Sequence, residues 1–317
     1  MDKQFPKVDI GISACLLGEN VRFDGGHKNL YFANQVLVNY ANYHRVCPEV
    51  GIGMSIPRKP IRLVEHNDKI LLLDSRDSSI DYTAQMQEFA EKKCASLTGL
   101  NGFIVTSKSP SCGMERMKVY DIEGKQVRKD GVGLFTQKLM QMHPNLPVEE
   151  DGRLNDSQLR ENFIARVYVH ATWHKDVANS DKMADLVKFH SQHKYQIMSH
   201  SYQAYKSLGK LVANAEKLSL AEIKPLYFTQ LMAALKNIAG RKKHCNVMQH
   251  IQGYFKKQLT AHDKQELADL IMQYRAGLVP LLAPLTLIKH FLKKYPNEYL
   301  IQQSYFSPYP LKMGLHG

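Results

Sequence analysis

Cysteine is scarce in this sequence: five residues in 317, with no C-x-x-C pair among them. So odd and scattered a set argues against a disulfide framework, and in a reducing compartment it points to metal, catalysis or plain burial. Long apolar runs are also missing. The best candidate, residues 276–288, contains Pro280 and Pro284 and falls short of the roughly 18–20 residues that span a bilayer. The opening MDKQFPKVDI has no apolar h-region of the secretory kind, so a cytoplasmic protein is expected. There is no internal repeat and no low-complexity tract. With 44% hydrophobic and 23% charged residues the chain has the composition of packed globular domains.

Acidic residues are scarce in one half only. Residues 1–150 hold 19 Lys and Arg against 18 Asp and Glu, whereas residues 151–317 hold 23 against 12. A near-neutral half joined to a strongly basic one is the pattern of a catalytic domain coupled to a polyanion-binding domain, although a solvated basic surface would look the same.

The first half reads as α/β. Apolar, β-branched segments at residues 8–12, 44–46 and 102–106 predict strands, with helices over 29–43 and 82–98 between them. Two hairpin-like segments, 62–73 and 118–127, look like additions. Strands alternating with helices predict a mainly parallel sheet, whose sites gather beyond the carboxyl ends of the strands. The turn-rich stretch 143–152 marks the expected boundary between a domain at 1–150 and one at 151–317. The second half is all-α. Its helices are expected from Asn155-Asp156-Ser157 onward, from Ser180-Asp181 onward, and over 206–216, 220–238, 244–258 and 263–276.

Each predicted strand runs into a loop with a cysteine: Cys15, Cys47 and Cys112. Three thiols leaving three parallel strands should converge. Three thiolates can hold a cubane iron–sulfur cluster with one iron open, and such an iron has an affinity for soft sulfur. A thiocarbonyl substrate would then be hydrolysed as C=S plus water to C=O plus sulfide, with no net redox. That chemistry needs a base, for which Glu49 and Asp24 are candidates, and hydrogen-bond donors, for which Ser109 and Ser111 are candidates. The spacing also allows a zinc site completed by His27 or His44. Cys94, in the stripe Phe89-Ala90-Cys94-Leu97, and Cys245 read as structural.

Three motifs tie the first half to a known family. Ser13-Ala14-Cys15-Leu16-Leu17-Gly18 with Val21-Arg22-Phe23-Asp24-Gly25, then Cys47-Pro48-Glu49-Val50 with Pro57-Arg58-Lys59-Pro60, then Lys108-Ser109-Pro110-Ser111-Cys112-Gly113, resemble the thiouracil desulfidase family over about residues 8–150. The resemblance implies a [4Fe–4S] cluster on Cys15, Cys47 and Cys112 and catalytic help from Glu49 and one or both serines; Arg22 and Arg58, within the same motifs, are candidate substrate- or nucleic-acid-binding residues. Residues from about 160 to 312 resemble the YbgA-type helical domain, through Phe189-His190, His193-Lys194, Ser199-His200, Gln249-His250 and Gly253-Tyr254-Phe255-Lys256-Lys257 among other stretches. In fused form the resemblance implies removal of sulfur from thiouridine in tRNA, 4-thiouridine before 2-thiouridine.

The basic half supports a polynucleotide substrate, since free thiouracil has no phosphates to bind. Arg241, Lys242, Lys243, Lys256, Lys257, Lys293 and Lys294 are the candidate phosphate contacts, and Trp173, Tyr254, Phe255 and Tyr295 are candidate stacking residues. Two rival functions stay open: the same chemistry on free thiouracil or a thionucleoside, and a non-enzymatic nucleic-acid-binding regulator using the cluster as a redox sensor. The second rival has no need of a base.

Overall fold

Alternation of strand and helix signals gives way after residue 150 to helix signals alone, and the computed structural model follows that change. It describes residues 5–214 and 218–315. Two compact units result, one formed by Pro6–Phe163 and the other by the chain from Ile164 onward together with Phe5.

The first unit is built on a four-stranded sheet in the order β2-β1-β5-β8, with β1 Val8–Ser13, β2 Ala41–Val46, β5 Gly102–Val105 and β8 Val148–Glu150. All three pairings are parallel. Strands β1, β5 and β8 are buried nearly throughout, whereas the edge strand β2 is largely exposed, which is why β5 reads as a continuous apolar run instead of an alternating one. A second sheet takes the order β4-β3-β6-β7, from β3 Ile61–His66, β4 Lys69–Asp74, β6 Met117–Tyr120 and β7 Gln126–Gly131. The two hairpins expected as additions thus form one sheet, joined by parallel pairing of β3 with β6. Helices α2 Thr83–Ser96 and α3 Leu134–Met142 pack with them around Met86, Ala90, Phe103, Phe135 and Leu139. Cys94 is a buried member of that core.

One expectation fails here. The helix read over 29–43 is only a π-turn at Phe32–Val36 and a 3₁₀ turn at Leu37–Asn39, and β2 already begins at Ala41. Six residues of β2 pair with β1, from Val8–Ala41 to Ser13–Val46. That ladder outweighs the weak helix preference of a segment containing Val36, Val38 and Asn39.

After α1 (Pro48–Gly51) and these elements, the helical region runs through α4 Ser157–Trp173, α5 Met183–His200, α6 Tyr202–Ala213, α7 Leu220–Leu235, α8 Arg241–Gln252, α9 Ala261–Ala276, α10 Leu282–Lys294 and α11 Glu298–Ile301. Asp156 caps α4 by accepting the Gln158 and Leu159 N–H groups. The helix expected over 206–216 starts earlier, at Tyr202, and Glu216 lies outside the described residues. The one over 244–258 gives way at Gly253 to a 3₁₀ turn. Among the described residues, the cores of this unit include one around Trp173, Phe189, Tyr227 and Leu231 and one around Cys245, Ile251, Ile271 and Phe291. Trp173 is 3% exposed, stacked on Tyr227 and Phe228, and Phe255 is buried too, so neither presents a face to a nucleobase. Among the described residues no helix is long and apolar enough to cross a membrane.

Candidate active site

The parallel order β2-β1-β5 puts three strand ends side by side, and each delivers a cysteine. Cys15 follows β1 in a short 3₁₀ turn, closed by Gly18 in the left-handed conformation (φ 89°). Cys47 follows β2 as the residue capping α1. Cys112 follows β5 in the loop 106–116. A cavity of about 440 Å³ opens where they meet, lined by Cys15, Cys47, Cys112, Glu49, Arg58 and Ser109 among others. That is within the roughly 300–1,000 Å³ of small-ligand pockets.

The loop carrying Cys112 is clamped by the start of α3. Leu134 N–H donates to Pro110 O, Phe135 N–H to Ser111 O, and Thr136 Oγ1 to Cys112 O at 2.6 Å. Gly133 makes this approach possible: a Cβ there would lie 2.5 Å from the Ser111 carbonyl carbon. From the sheet side, Glu150 Oε1 accepts the Met114 N–H. Asp151 accepts the Ser107 N–H at 2.7 Å and pairs with Lys28 Nζ at 2.7 Å, tying this loop to the segment after Cys15.

Glu49 sits at the centre of the polar side of the cavity. Its Oε1 accepts Ser111 Oγ at 2.5 Å and Ser109 Oγ at 3.3 Å, and the two hydroxyls lie 2.9 Å apart. Its Oε2 receives Arg58 through Nε at 2.9 Å and a terminal nitrogen at 2.6 Å. The same guanidinium donates to Val21 O at 2.9 Å. With side chains 5% and 13% exposed, this pair is a buried one. Arg58, expected near substrate, therefore acts on Glu49 and fixes the direction of its carboxylate. Arg22 does line the cavity, held by Asp24 through a 3.4 Å contact. Asp24 itself is outside the lining, 49% exposed. It accepts the Gly26 N–H, and this bond and Arg22 hold its carboxyl below the ordinary range. It shapes the 22–26 turn and is not positioned as a base.

Burial raises all three cavity thiols above their ordinary value of 9.0, most strongly Cys112, on which the nearby Glu49, Cys47 and Cys15 also act. As thiols they are protonated at neutral pH, so taking up metal must release protons. Cys15 Sγ contacts Thr106 Oγ1 at 3.6 Å. The donor set, three thiols on one cavity and none in a disulfide, fits an iron–sulfur cluster with one open iron. A single zinc ion fits less well. It would hold sulfurs about 3.8 Å apart, given Zn–S bonds near 2.3 Å. Among the described residues, three ligand atoms within 4.8 Å of one another occur at His262, Asp263 and Glu266, at the start of α9, and not at the thiols. His44 Nε2 contacts Asp9 Oδ1 at 3.0 Å, and neither His27 nor His44 lines the cavity.

In the helical unit Arg241, Lys242, Lys256, Lys257, Lys293 and Lys294 are exposed. Lys243 is half-buried and donates to His200 O at 2.6 Å, where it closes the end of α5. Tyr254 is exposed and Tyr295 half-buried. Sequence reasoning did not pick out Lys28, Thr106, Gly133, Glu150 or Asp151. The Ser107–Asp151 and Met114–Glu150 hydrogen bonds and the Lys28–Asp151 ion pair reveal that the end of β8 and the residue after it support the site.

A family model described as 2-thiouracil desulfurase matches residues 10–151, and one described as a protein of unknown function (DUF1722) matches residues 194–310. The uncharacterized protein YbgA of Escherichia coli strain K12 is 31% identical over 163 residues, which cover 51% of this chain and 96% of that relative. A solved structure of the [4Fe-4S]-dependent thiouracil desulfidase TudS aligns with a TM-score of 0.36 and 28% identity, over 47% of this chain and 94% of that one.

Proposed function

The chain belongs to the YbgA family, with a 2-thiouracil desulfurase domain ahead of its DUF1722 region, and on that premise we propose that it is a desulfidase. It removes sulfur from a thiolated uracil, giving the carbonyl and sulfide. The observation that carries this reading is a base and two hydroxyls joined in one network on the cavity that three cysteines line.

The residues divide the work as follows. Cys15, Cys47 and Cys112 hold a [4Fe–4S] cluster. When bound, it supplies an open iron, a Lewis acid that takes soft sulfur. Glu49 Oε1 accepts the proton of the attacking water, Ser109, which lines the cavity, hydrogen-bonds the water or the heterocycle, and Ser111, buried behind it, holds Glu49 Oε1 in place. Arg58 holds Glu49 Oε2, which leaves Oε1 to the two serine hydroxyls. Val21, Phe23, Pro48 and Pro60 give an apolar wall that favours a flat ring and limits water.

The favoured substrate is thiouridine within tRNA, 4-thiouridine before 2-thiouridine. The excess of Lys and Arg in residues 151–317 supports it, because phosphate contacts give the affinity a polymer needs. The description of the matching family model favours the rival reading, free thiouracil. Anaerobically reconstituted protein assayed for sulfide release from both substrates separates them. Arg241→Gln with Lys242→Gln should weaken turnover of thiolated tRNA at limiting concentration and flatten its salt dependence while leaving 2-thiouracil unaffected. No sulfide from either substrate, with iron bound, would refute the desulfidase reading.

A further inference from the structure

The helical unit carries a row of tyrosines and lysines that is set partly against its cores and partly open to solvent. Tyr202 and Tyr205, on α6, have rings 5.7 Å apart. Lys206 Nζ lies 4.8 Å over the Tyr202 ring. Lys194, on α5, places its ammonium 5.8 Å from the Tyr205 ring and 5.7 Å from the Tyr299 ring. Tyr299, on α11, stacks with Tyr254 at 5.8 Å and 19°. The array thus runs Tyr202, Tyr205, Lys194, Tyr299, Tyr254, drawn from four separate segments. Its inner tyrosines, Tyr205 and Tyr299, pack partly into the core, and at one end Tyr254 receives the Tyr195 hydroxyl at 3.3 Å. Its ends are open, with Tyr202 45% and Tyr254 40% exposed.

The charge around it is one-sided. The sequence has no Asp or Glu between Asp185 and Glu216, and none between Glu222 and Asp263. Those two stretches supply every member of the array except Tyr299. Lys210, Lys256 and Lys257 add exposed positive charge within them, and Glu298, beside Tyr299, is the nearest acidic residue in sequence. A surface meant only to be soluble would mix the two signs.

We propose that this array is a binding platform for single-stranded RNA, with unpaired bases stacking on the open Tyr202 and Tyr254 rings and phosphates meeting Lys206, Lys256 and Lys257. Rings held at fixed spacing beside cations recognise bases that are not stacked in a duplex, because every base has a π-face and a duplex hides it. The inference extends the polynucleotide reading of the substrate, and it does not depend on the desulfidase chemistry.

Its test uses the full chain, without iron, and a short fluorescent oligouridylate that carries no sulfur. The single strand should bind more tightly than its duplex with oligoadenylate. Tyr202→Ser with Tyr254→Ser should weaken single-strand binding by at least about tenfold, given the usual loss per stacked base. The salt slope should not change, since tyrosines release no counterions. Lys206→Gln should instead lower the slope by about 0.7. Both tyrosines are exposed, so circular dichroism should show an intact fold. Equal binding of strand and duplex, or single-strand affinity unchanged by the double tyrosine variant, would overturn the proposal and leave charge alone as the source of binding. Failure of the desulfidase reading would instead appear only as missing sulfide release, with this binding intact.

Discussion

Ser111 and Glu49 meet through a 2.5 Å hydrogen bond across 62 residues of sequence, and that bond joins the loop of one cavity cysteine to the helix that follows another. Glu49 is thereby part of the scaffold as well as the proposed base. Glu49→Gln should lower sulfide release by about 10²–10⁴-fold, the usual range for a lost general base. It also strips the buried Arg58 of its counter-charge, so stability should fall by about 3–5 kcal/mol. Iron content measured alongside turnover separates the two effects: an iron-loaded, inactive variant supports the role as base, and undiminished turnover refutes it.

Arg58→Lys keeps the charge but loses the fork that grips Glu49 Oε2 and Val21 O together. The expected outcome is a loss of turnover of about tenfold or more with iron binding retained. A Lys variant as active as the parent would mean that charge alone, without orientation, is what Glu49 requires.

The thiols can be sorted by reconstitution. Replacing Cys15, Cys47 or Cys112 with Ala should abolish the uptake of about four irons and the broad thiolate-to-iron absorption of a cubane. Cys94→Ala and Cys245→Ala, both buried core residues that do not line the cavity, should reconstitute normally. Stoichiometric zinc without iron after anaerobic handling would refute the cluster.

Gly133 offers a test of the clamp on the Cys112 loop. Gly133→Ala puts a methyl group 2.5 Å from the Ser111 carbonyl carbon, and backbone on backbone has no soft way to yield. The variant should hold iron poorly, losing it faster to a chelator, even where circular dichroism shows the sheets intact. Gly240→Ala, which meets nothing within 4 Å, is the control in the helical unit.

A pH effect is expected in the helical unit. Burial, aided by the charge of Lys194, lowers the His190 pKa from 6.5 to about 4, and its Nδ1 contacts Tyr227 Oη at 2.9 Å. A depressed folded-state value means stability that is fully present above pH 6.5 and lost as pH falls toward 4. Trp173, the single tryptophan of the chain, stands in the same core and reports on it by fluorescence. Urea midpoints should drop between pH 7 and pH 5, and His190→Gln should flatten that drop.

Much of this protein is legible in its sequence. The three strand segments ending in cysteine loops follow from β-branched apolar runs, whose burial is a local property of composition. The helical second half follows from periodicity and caps such as Asp156. The approximate place of Glu49 and the two serines follows from their motifs. The segment 29–43 was not legible, because a parallel ladder with β1 is a long-range interaction that local propensity cannot register.

The sequence by itself determined which chemistry is available: three thiols at strand ends, one carboxylate and two hydroxyls beside them, and a surplus of cations after residue 150. Only the tertiary structure decided how those groups are assigned. It gave Arg58 to Glu49, Asp24 to a turn, Lys243 to the end of α5 and Trp173 to a core. It also joined tyrosines from four segments into one row. Residue type and spacing state what a side chain can do. Its partner depends on which distant segments the hydrophobic effect packs together, and that is settled by the fold as a whole.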